Sequence, residues 1–283
     1  MSLTAAILTK DEAVNITACL DSLEWVDDIV VLDSGSSDGT LGIVRNYCRP
    51  IRVYEHLFEN FGSQRNWVLD NVRPIGDWIL FLDADERCTP DVANEIERIL
   101  VNPQDYVGFY LCCRNFFLGR WIKRCTFYPS WQLRLLKQGT VRYRKEGHGQ
   151  REVTDGPLGY IAEPYDHYGF SKGVHDWIAR HNNYSTMEVE LIQRLRDEPL
   201  RPRELFCKDS VVRRRAIKRL AARTLFRPLA RFIYTYIWRG GVWDGYPGLV
   251  FCLLRASHEI HITAKLAELK NKDNNETDSS IIS

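Results

Sequence analysis

No apolar run in this 283-residue chain approaches the roughly 20 residues needed to span a bilayer. The longest, near Phe232–Trp238 and Leu249–Leu254, are far too short, so any membrane would be met from its surface. Leu3–Leu8 reads as a strand and not as the charged and apolar regions of a secretory leader, which predicts a cytoplasmic protein. The eight cysteines include no Cys-x-x-Cys spacing, and Cys112 and Cys113 are adjacent. That excludes the usual zinc and disulfide frameworks and predicts reduced thiols. The Gly-x-Gly-x-x-Gly of dinucleotide binders and the Gly-Lys-Ser/Thr of a P-loop are both missing. So is the motif of an RNA-recognition module, which argues against a nucleic-acid partner.

What is present is ordinary for a globular protein: 45% hydrophobic and 27% charged residues, with a formal net charge of +1. Strand-like runs alternate with helical ones along the first hundred residues. Leu3–Leu8, Asp28–Leu32, Ile51–Tyr54 and Trp78–Leu82 have the apolar content of buried strands. Ala13–Trp25, Leu41–Cys48, Gln64–Val72 and Asp91–Leu100 have helical spacing, the last opened by Thr89-Pro90 as cap and first-turn proline. This order predicts an α/β fold, a mostly parallel Rossmann-like sheet with flanking helices.

Two of those strands end in acids. Asp33 follows Leu32 and opens the polar loop Ser34–Thr40; Asp83 and Asp85 follow Leu82. Carboxylates at a buried strand's exit are costly unless something pairs with them. A hard divalent cation shared with substrate phosphates meets that need, and ligands of open α/β sheets sit at this end of the strands. An acidic solvated loop is the competing reading of Asp83 and Asp85, and a capped turn that of Ser34–Thr40.

The segments Thr9–Glu12, Val31–Thr40 and Phe81–Glu86 resemble, in wording, order and spacing, the nucleotide-sugar half of family 2 glycosyltransferases. The resemblance covers about the first 110 residues. It implies a GT-A fold binding a nucleoside diphosphate sugar, with Mg²⁺ or Mn²⁺ on the diphosphate and uridine as the family's preferred base. It implies further that Asp33 holds the base, Asp83 the ribose or sugar, and Asp85 the metal. Glu12 would support the nucleoside side, with Thr9, Ser34 and Asp38 in the same donor-binding segments. Gln64-Arg65-Asn66 sits where many relatives carry a polar or basic diphosphate contact, although a plain helix surface is the alternative.

Beyond Gly108 the pattern is irregular and aromatic, which predicts strands that extend the sheet over a second half, residues 111–200. Trp121 and Trp131 are candidate platforms for an acceptor sugar's apolar face, or core tryptophans. Arg134, framed by Leu133 and Leu135, is either an acceptor contact or a buried ion-pair partner. Sugar transfer needs a base for the acceptor hydroxyl, and Glu146, His148 and Glu152 qualify by type. Lipopolysaccharide core glucosyltransferases look similar here but carry His-Glu where this chain has His148-Gly149, so all three remain open. His167 could reach the metal or the diphosphate, or serve as a structural histidine.

Residues 201–270 combine a basic row, Arg213 to Arg231, with apolar and aromatic residues at helical spacing. That composition suits an anionic membrane surface, with an internal helical brace as the alternative. The polar tail 271–283 is expected to be disordered. Together these readings predict an inverting glycosyltransferase of bacterial cell-surface saccharide synthesis. It would act at the inner face of the membrane on a saccharide or lipid-linked acceptor. The alternative is a protein of the same fold that binds a nucleotide or lipid without turnover.

Overall fold

The computed structural model describes residues 2–146, 149–224 and 226–281, with backbone alone for Ser210 and residues 272–281. The chain divides into two compact units, Met1–Val174 and His175–Ser283.

In the first unit β1 (Leu3–Thr9), α1 (Ile16–Asp21), β2 (Asp28–Asp33), α2 (Thr40–Arg45), β3 (Arg52–Glu55), α3 (Phe61–Asn71) and β4 (Trp78–Asp83) alternate as the patterning predicts. β5 (Glu86–Arg87), α4 (Pro90–Val101), β6 (Gly108–Phe117), β7 (Arg120–Trp121) and β8 (Trp131–Lys137) follow. The unit closes with β9 (Arg142–Glu146), β10 (Gly149–Val153), β11 (Leu158–Tyr160) and β12 (Tyr165–His167). The main sheet runs β3-β2-β1-β4-β8-β6-β12-β5, with β7 and β11 also on β6, while β9 and β10 form a separate hairpin. β3, β2, β1 and β4 are parallel; β8 runs antiparallel between β4 and β6.

The sheet is covered on both faces. Ile16, Leu20, Val44, Val92 and Ile96 from α1, α2 and α4 pack on one face, and Val68 and Leu69 of α3 with Tyr143 of β9 on the other. This explains why β2 is buried at every position and carries no alternation. α4 begins as its sequence dictates: the Thr89 side chain accepts from the Val92 amide, and Pro90 takes the first turn. α1 is shorter than its periodicity predicts. After Asp21 the chain continues in tighter turns, Leu23 N–H to Leu20 O at 2.9 Å and Val26 N–H to Leu23 O at 3.0 Å, which still bury Leu23 and Val26.

The second unit is helical: α5 (Gly173–Asp197), a 3₁₀ turn (Pro202–Phe206), α6 (Ser210–Arg223), α7 (Arg227–Phe232), a π turn (Ile233–Trp238), a further 3₁₀ turn (Gly241–Asp244) and α8 (Gly245–Ile281). α8 continues past Asn271 to Ile281, through the segment whose composition predicts disorder; an established helix propagates at one bond per residue even through polar sequence. Val189, Ile192, Ala222, Ile262 and Leu266 form its core. Much of the basic row is spent internally. Arg227 and Arg231 each grip one oxygen of Glu259 through two nitrogens, Arg219 pairs with Glu204, and Arg223 donates to the carbonyls of Arg196 and Glu198. Among the described residues no helix is long and apolar enough to cross a membrane.

Candidate active site

Strand register gathers the acids along one edge. Thr9 lies opposite Asp33, and Leu8 opposite Asp83, so the carboxyl ends of β1, β2 and β4 are level. The ladder continues past them, with Ser34 N–H on Thr9 O at 2.9 Å and Ala84 N–H on Leu8 O at 3.1 Å. From the other side β12 runs beside β6 and pairs antiparallel with β5, which sets His167 across from Glu86 and beside Asn115.

The two loops on the β1–β2 side are laced together. Asp33 is fully buried, and its carboxylate accepts from Gly35 N–H (2.9 Å), Ser36 N–H (2.8 Å) and Ser36 Oγ (2.5 Å). Asp38 accepts from the Thr40 amide and hydroxyl and from Ala13 N–H at 3.0 Å. Burial would raise its pKa, but these bonds from Thr40 and Ala13 hold it below the ordinary value. Both acids therefore shape the loop itself. Gly35 sits at φ +83°, a conformation that favours glycine. Glu12 pairs with Lys172 at 2.7 Å and accepts from Asn15 at 2.6 Å, with its pKa raised by burial. Thr9 Oγ1 is buried and has no hydrogen-bond partner among the described residues, which suits a ligand group at the strand end.

Asp83 is held by two buried guanidiniums. Arg65 Nη2 reaches Oδ1 and Arg134 Nη2 reaches Oδ2, each at 3.0 Å. Burial alone would raise the Asp83 pKa; the positive charges of Arg134 and Arg65 outweigh it and keep the carboxylate ionised. Arg134 also reaches Glu86 Oε1 at 2.5 Å, and Glu86 Oε2 accepts from Asp83 N–H at 2.8 Å. Glu86 is 2% exposed, and burial pushes its pKa up, against the pull of Arg134. Two acids and two bases thus share one buried cluster, a geometry in which each charge compensates another.

Asp85 stands one step outside that cluster. His167 Nε2 lies 3.4 Å from Asp85 Oδ2, and His167 Nδ1 is 2.8 Å from Asn115 Oδ1. An Asn carbonyl oxygen can only accept, so Nδ1 carries the proton toward it and Nε2 faces Asp85. The Asn115 oxygen thereby fixes the orientation of the imidazole relative to Asp85. Burial would lower the His167 pKa, but the Asp85 charge raises it well above the ordinary value. Among the described residues no three His, Cys, Asp or Glu side chains converge on one point. The Asp85 carboxylate by itself suits Mg²⁺ or Mn²⁺, which binds through one or two carboxylates and completes its shell with substrate phosphate and water.

The remaining candidates fall elsewhere. Gln64 is buried and donates to the carbonyls of His56 (3.2 Å) and Leu57 (2.9 Å). Asn66 makes both backbone bonds of Tyr143, at 2.8 and 2.9 Å, and so pins β9 to α3. Of the base candidates, Glu146 is exposed and lies 3.6 Å from Arg151. Glu152 accepts the Tyr110 hydroxyl. His148 lies outside the described residues. Gln150, two residues from Glu152 and so on its face of β10, bonds Arg65 Nη1 at 3.1 Å. Trp131 is 38% exposed and meets Tyr160 edge-on at 5.0 Å, whereas Trp121 packs edge-on against Tyr128. Arg134 takes the ion-pair reading.

Sequence alone does not assign Glu86, Asn115, Gln150 or Lys172 to the site, whereas Arg65 lies within the Gln64-Arg65-Asn66 segment. Arg65 carried a signal, since a charged residue sits one turn from Val68 and Leu69 on the buried face of α3. Glu86 was visible as the fourth member of Asp83-Ala84-Asp85-Glu86. Nothing local marks Asn115 or Lys172.

The chain is 28% identical over 146 residues to the lipopolysaccharide core biosynthesis glycosyltransferase LpsC of Rhizobium meliloti (strain 1021), covering 50% of this chain and 53% of that one. An uncharacterized glycosyltransferase of Rickettsia felis is 30% identical over 112 residues, 38% of each chain. The matched stretch thus spans about half or less of these relatives' lengths. Among solved structures, S. aureus TarS (1-349) gives a TM-score of 0.47 at 13% identity, covering 96% of this chain and 92% of that one. Glucosyl-3-phosphoglycerate synthase from Mycobacterium tuberculosis, in complex with Mn²⁺, UDP and phosphoglyceric acid, gives 0.31 at 21% identity, covering 42% and 44%. Residues 4–168, more than half of the chain and nearly all of its first unit, match the family described as Glycosyl transferase family 2, and the chain belongs to that family.

Proposed function

We propose that this chain is an inverting glycosyltransferase that moves a sugar from a nucleoside diphosphate donor, UDP-linked, to a saccharide or lipid-linked acceptor in bacterial cell-surface saccharide synthesis. The observation that carries the reading is the Asp85–His167 pair, oriented by Asn115 beside the Asp83 cluster at the carboxyl edge of the sheet. Asp85 and His167 would hold the divalent ion. When bound, it neutralises charge on the departing nucleoside diphosphate. Asp83, kept ionised and immobile by Arg65 and Arg134, offers the donor's ribose or sugar hydroxyls a fixed acceptor. The loops around Glu12, Asp33, Ser34 and Asp38 shape the nucleoside side, with Thr9 Oγ1 facing it. Glu146, His148 and Glu152 are the candidates for taking the acceptor proton; Glu152 has the better support, being linked through its own strand face to Arg65. The name of the Rhizobium relative supports a lipopolysaccharide-core acceptor.

Residues 201–270 would bring the enzyme to the inner face of an anionic membrane. Arg213, Arg214, Arg215 and Lys218 are the exposed cations of α6 that support this. The test is a thermal-shift screen of nucleotide sugars with Mn²⁺, followed by measurement of nucleoside diphosphate release. Stabilisation with release is the expected result. Stabilisation without release, with any acceptor supplied, would leave only the non-catalytic binding reading, and neither would overturn both.

A further inference from the structure

Four residues outside the donor cluster form a ledge with the two-sided chemistry of a sugar ring. Tyr160 is 60% exposed and Trp131 38%, and their rings meet at 78° with centroids 5.0 Å apart. Tyr110 stacks on the inner side of Tyr160 at 5.2 Å and 24°, and its hydroxyl donates to Glu152 Oε1. Tyr110 lies beside Tyr160 in the β6–β11 pairing and opposite Leu133 in the β6–β8 pairing, while Trp131 lies opposite Cys112. Because β8 also pairs with β4, the register carries Trp131 to the level at which β4 has passed its last strand residue, Asp83. The ledge is therefore level with the acidic end of the sheet. A second path leads the same way: Arg65 touches both Asp83 and Gln150, and Gln150 shares the face of β10 that carries Glu152.

Two large aromatic rings meet here near a right angle, and both keep a substantial part of their surface open to solvent. They offer one flat apolar wall and one bordering edge. A pyranose presents C–H groups on its face and hydroxyls around its rim, so an open ring beside a carboxylate matches both. Glu152 gives one oxygen to Tyr110, and its other carboxyl oxygen can accept from a hydroxyl. A lipid chain would have no use for the carboxylate.

We propose that Trp131 and Tyr160, backed by Tyr110 and Glu152, form a subsite for a pyranose ring of the acceptor, and that the acceptor is therefore read through a sugar and not through a lipid alone. Calling that sugar the acceptor rests on the transferase reading above; the presence of a saccharide site does not.

The experiment is saturation-transfer NMR on the full chain, using the methyl α-glycosides of glucose, galactose and mannose as probes. At least one should show saturation of its ring C–H protons. Tyr160→Ala, at an exposed position where the fold loses little, should reduce that signal by about fivefold or more, the scale of one aromatic contact. Trp131→Ala should do the same. Absence of saturation for every probe, or an undiminished signal in Tyr160→Ala, overturns the subsite. The donor thermal shift separates the two readings: a chain that saturates a glycoside but ignores nucleotide sugars keeps the subsite and loses the transferase, and the converse loses only the subsite.

Discussion

Asp83 and Asp85 stand two residues apart, yet their surroundings assign them different work. Asp83 is clamped by Arg65 and Arg134, while Asp85 faces an oriented histidine. Asp85→Asn keeps the shape but removes the charge a divalent ion requires. It should therefore cut turnover by about 10²-fold or more, and with it the Mn²⁺-dependent part of the donor thermal shift, while the apo protein melts as before. Full turnover of the purified variant at saturating Mn²⁺ would remove the metal assignment. Glu152→Gln should lower kcat by about 10²-fold with donor stabilisation retained, whereas Glu146→Gln, on the exposed face, should change kcat little. The reverse outcome would move the base to Glu146. Arg134→Ala removes the cation that faces Glu86 Oε1 and Asp83 Oδ2, at a cost of about 3–5 kcal/mol in urea unfolding. Adding Glu86→Gln should recover part of that loss. A cost below about 1 kcal/mol would mean that the cluster is not a mutually compensating charge group.

At the scale of elements, the β9–β10 hairpin is outside the main sheet and needs its own attachment. Asn66 supplies it by making both backbone bonds of Tyr143, whose ring packs edge-on against Phe81. Asn66→Ala would strand both Tyr143 groups, at about 1–3 kcal/mol for each left buried without a partner. Hydrogen exchange should show faster opening of the Tyr143 amide than of the β1 and β4 amides, with Glu152 losing its fixed place beside Tyr110. Equal protection in variant and wild type would show that the hairpin is held elsewhere. In the helical unit, Arg219, Arg223, Arg227 and Arg231 already have carboxylates or carbonyls, which removes them as surface cations.

For the whole molecule, the exposed cations of α6 are Arg213, Arg214, Arg215 and Lys218, with Arg213 also donating to Cys207 O at 3.3 Å, and these are the ones offered to an anionic leaflet. Each cation near such a surface contributes about 1 kcal/mol, and the attraction decays within a Debye length of about 8 Å at physiological salt. The protein should therefore sediment with vesicles containing anionic lipid at low salt, weakly at high salt, and little with neutral vesicles. Replacing these four by Gln should abolish sedimentation without altering donor-dependent stabilisation. A wild-type protein that ignores anionic vesicles at low salt would make the helical unit a brace and no more.

The alternation of apolar runs with helical spacing was enough to determine the parallel β1–β4 core and its flanking helices, because burial of both sheet faces leaves no other place for such strands. The acids at the ends of β2 and β4 were legible for the same reason: a carboxylate has no business at a buried strand's exit unless something pairs with it. Sequence could not say what pairs with it. Arg65 is 18 residues and Arg134 51 residues from Asp83, and Asn115 is 52 residues from His167. No local pattern encodes such partners, since they are chosen by strand order and register. The same limit applied to Gln64, Asn66 and half of the basic row, polar side chains whose type suited a ligand equally well. Only the folded chain decided that they hold backbone and carboxylate groups of the protein itself, because a buried polar atom binds whatever the tertiary structure brings within reach.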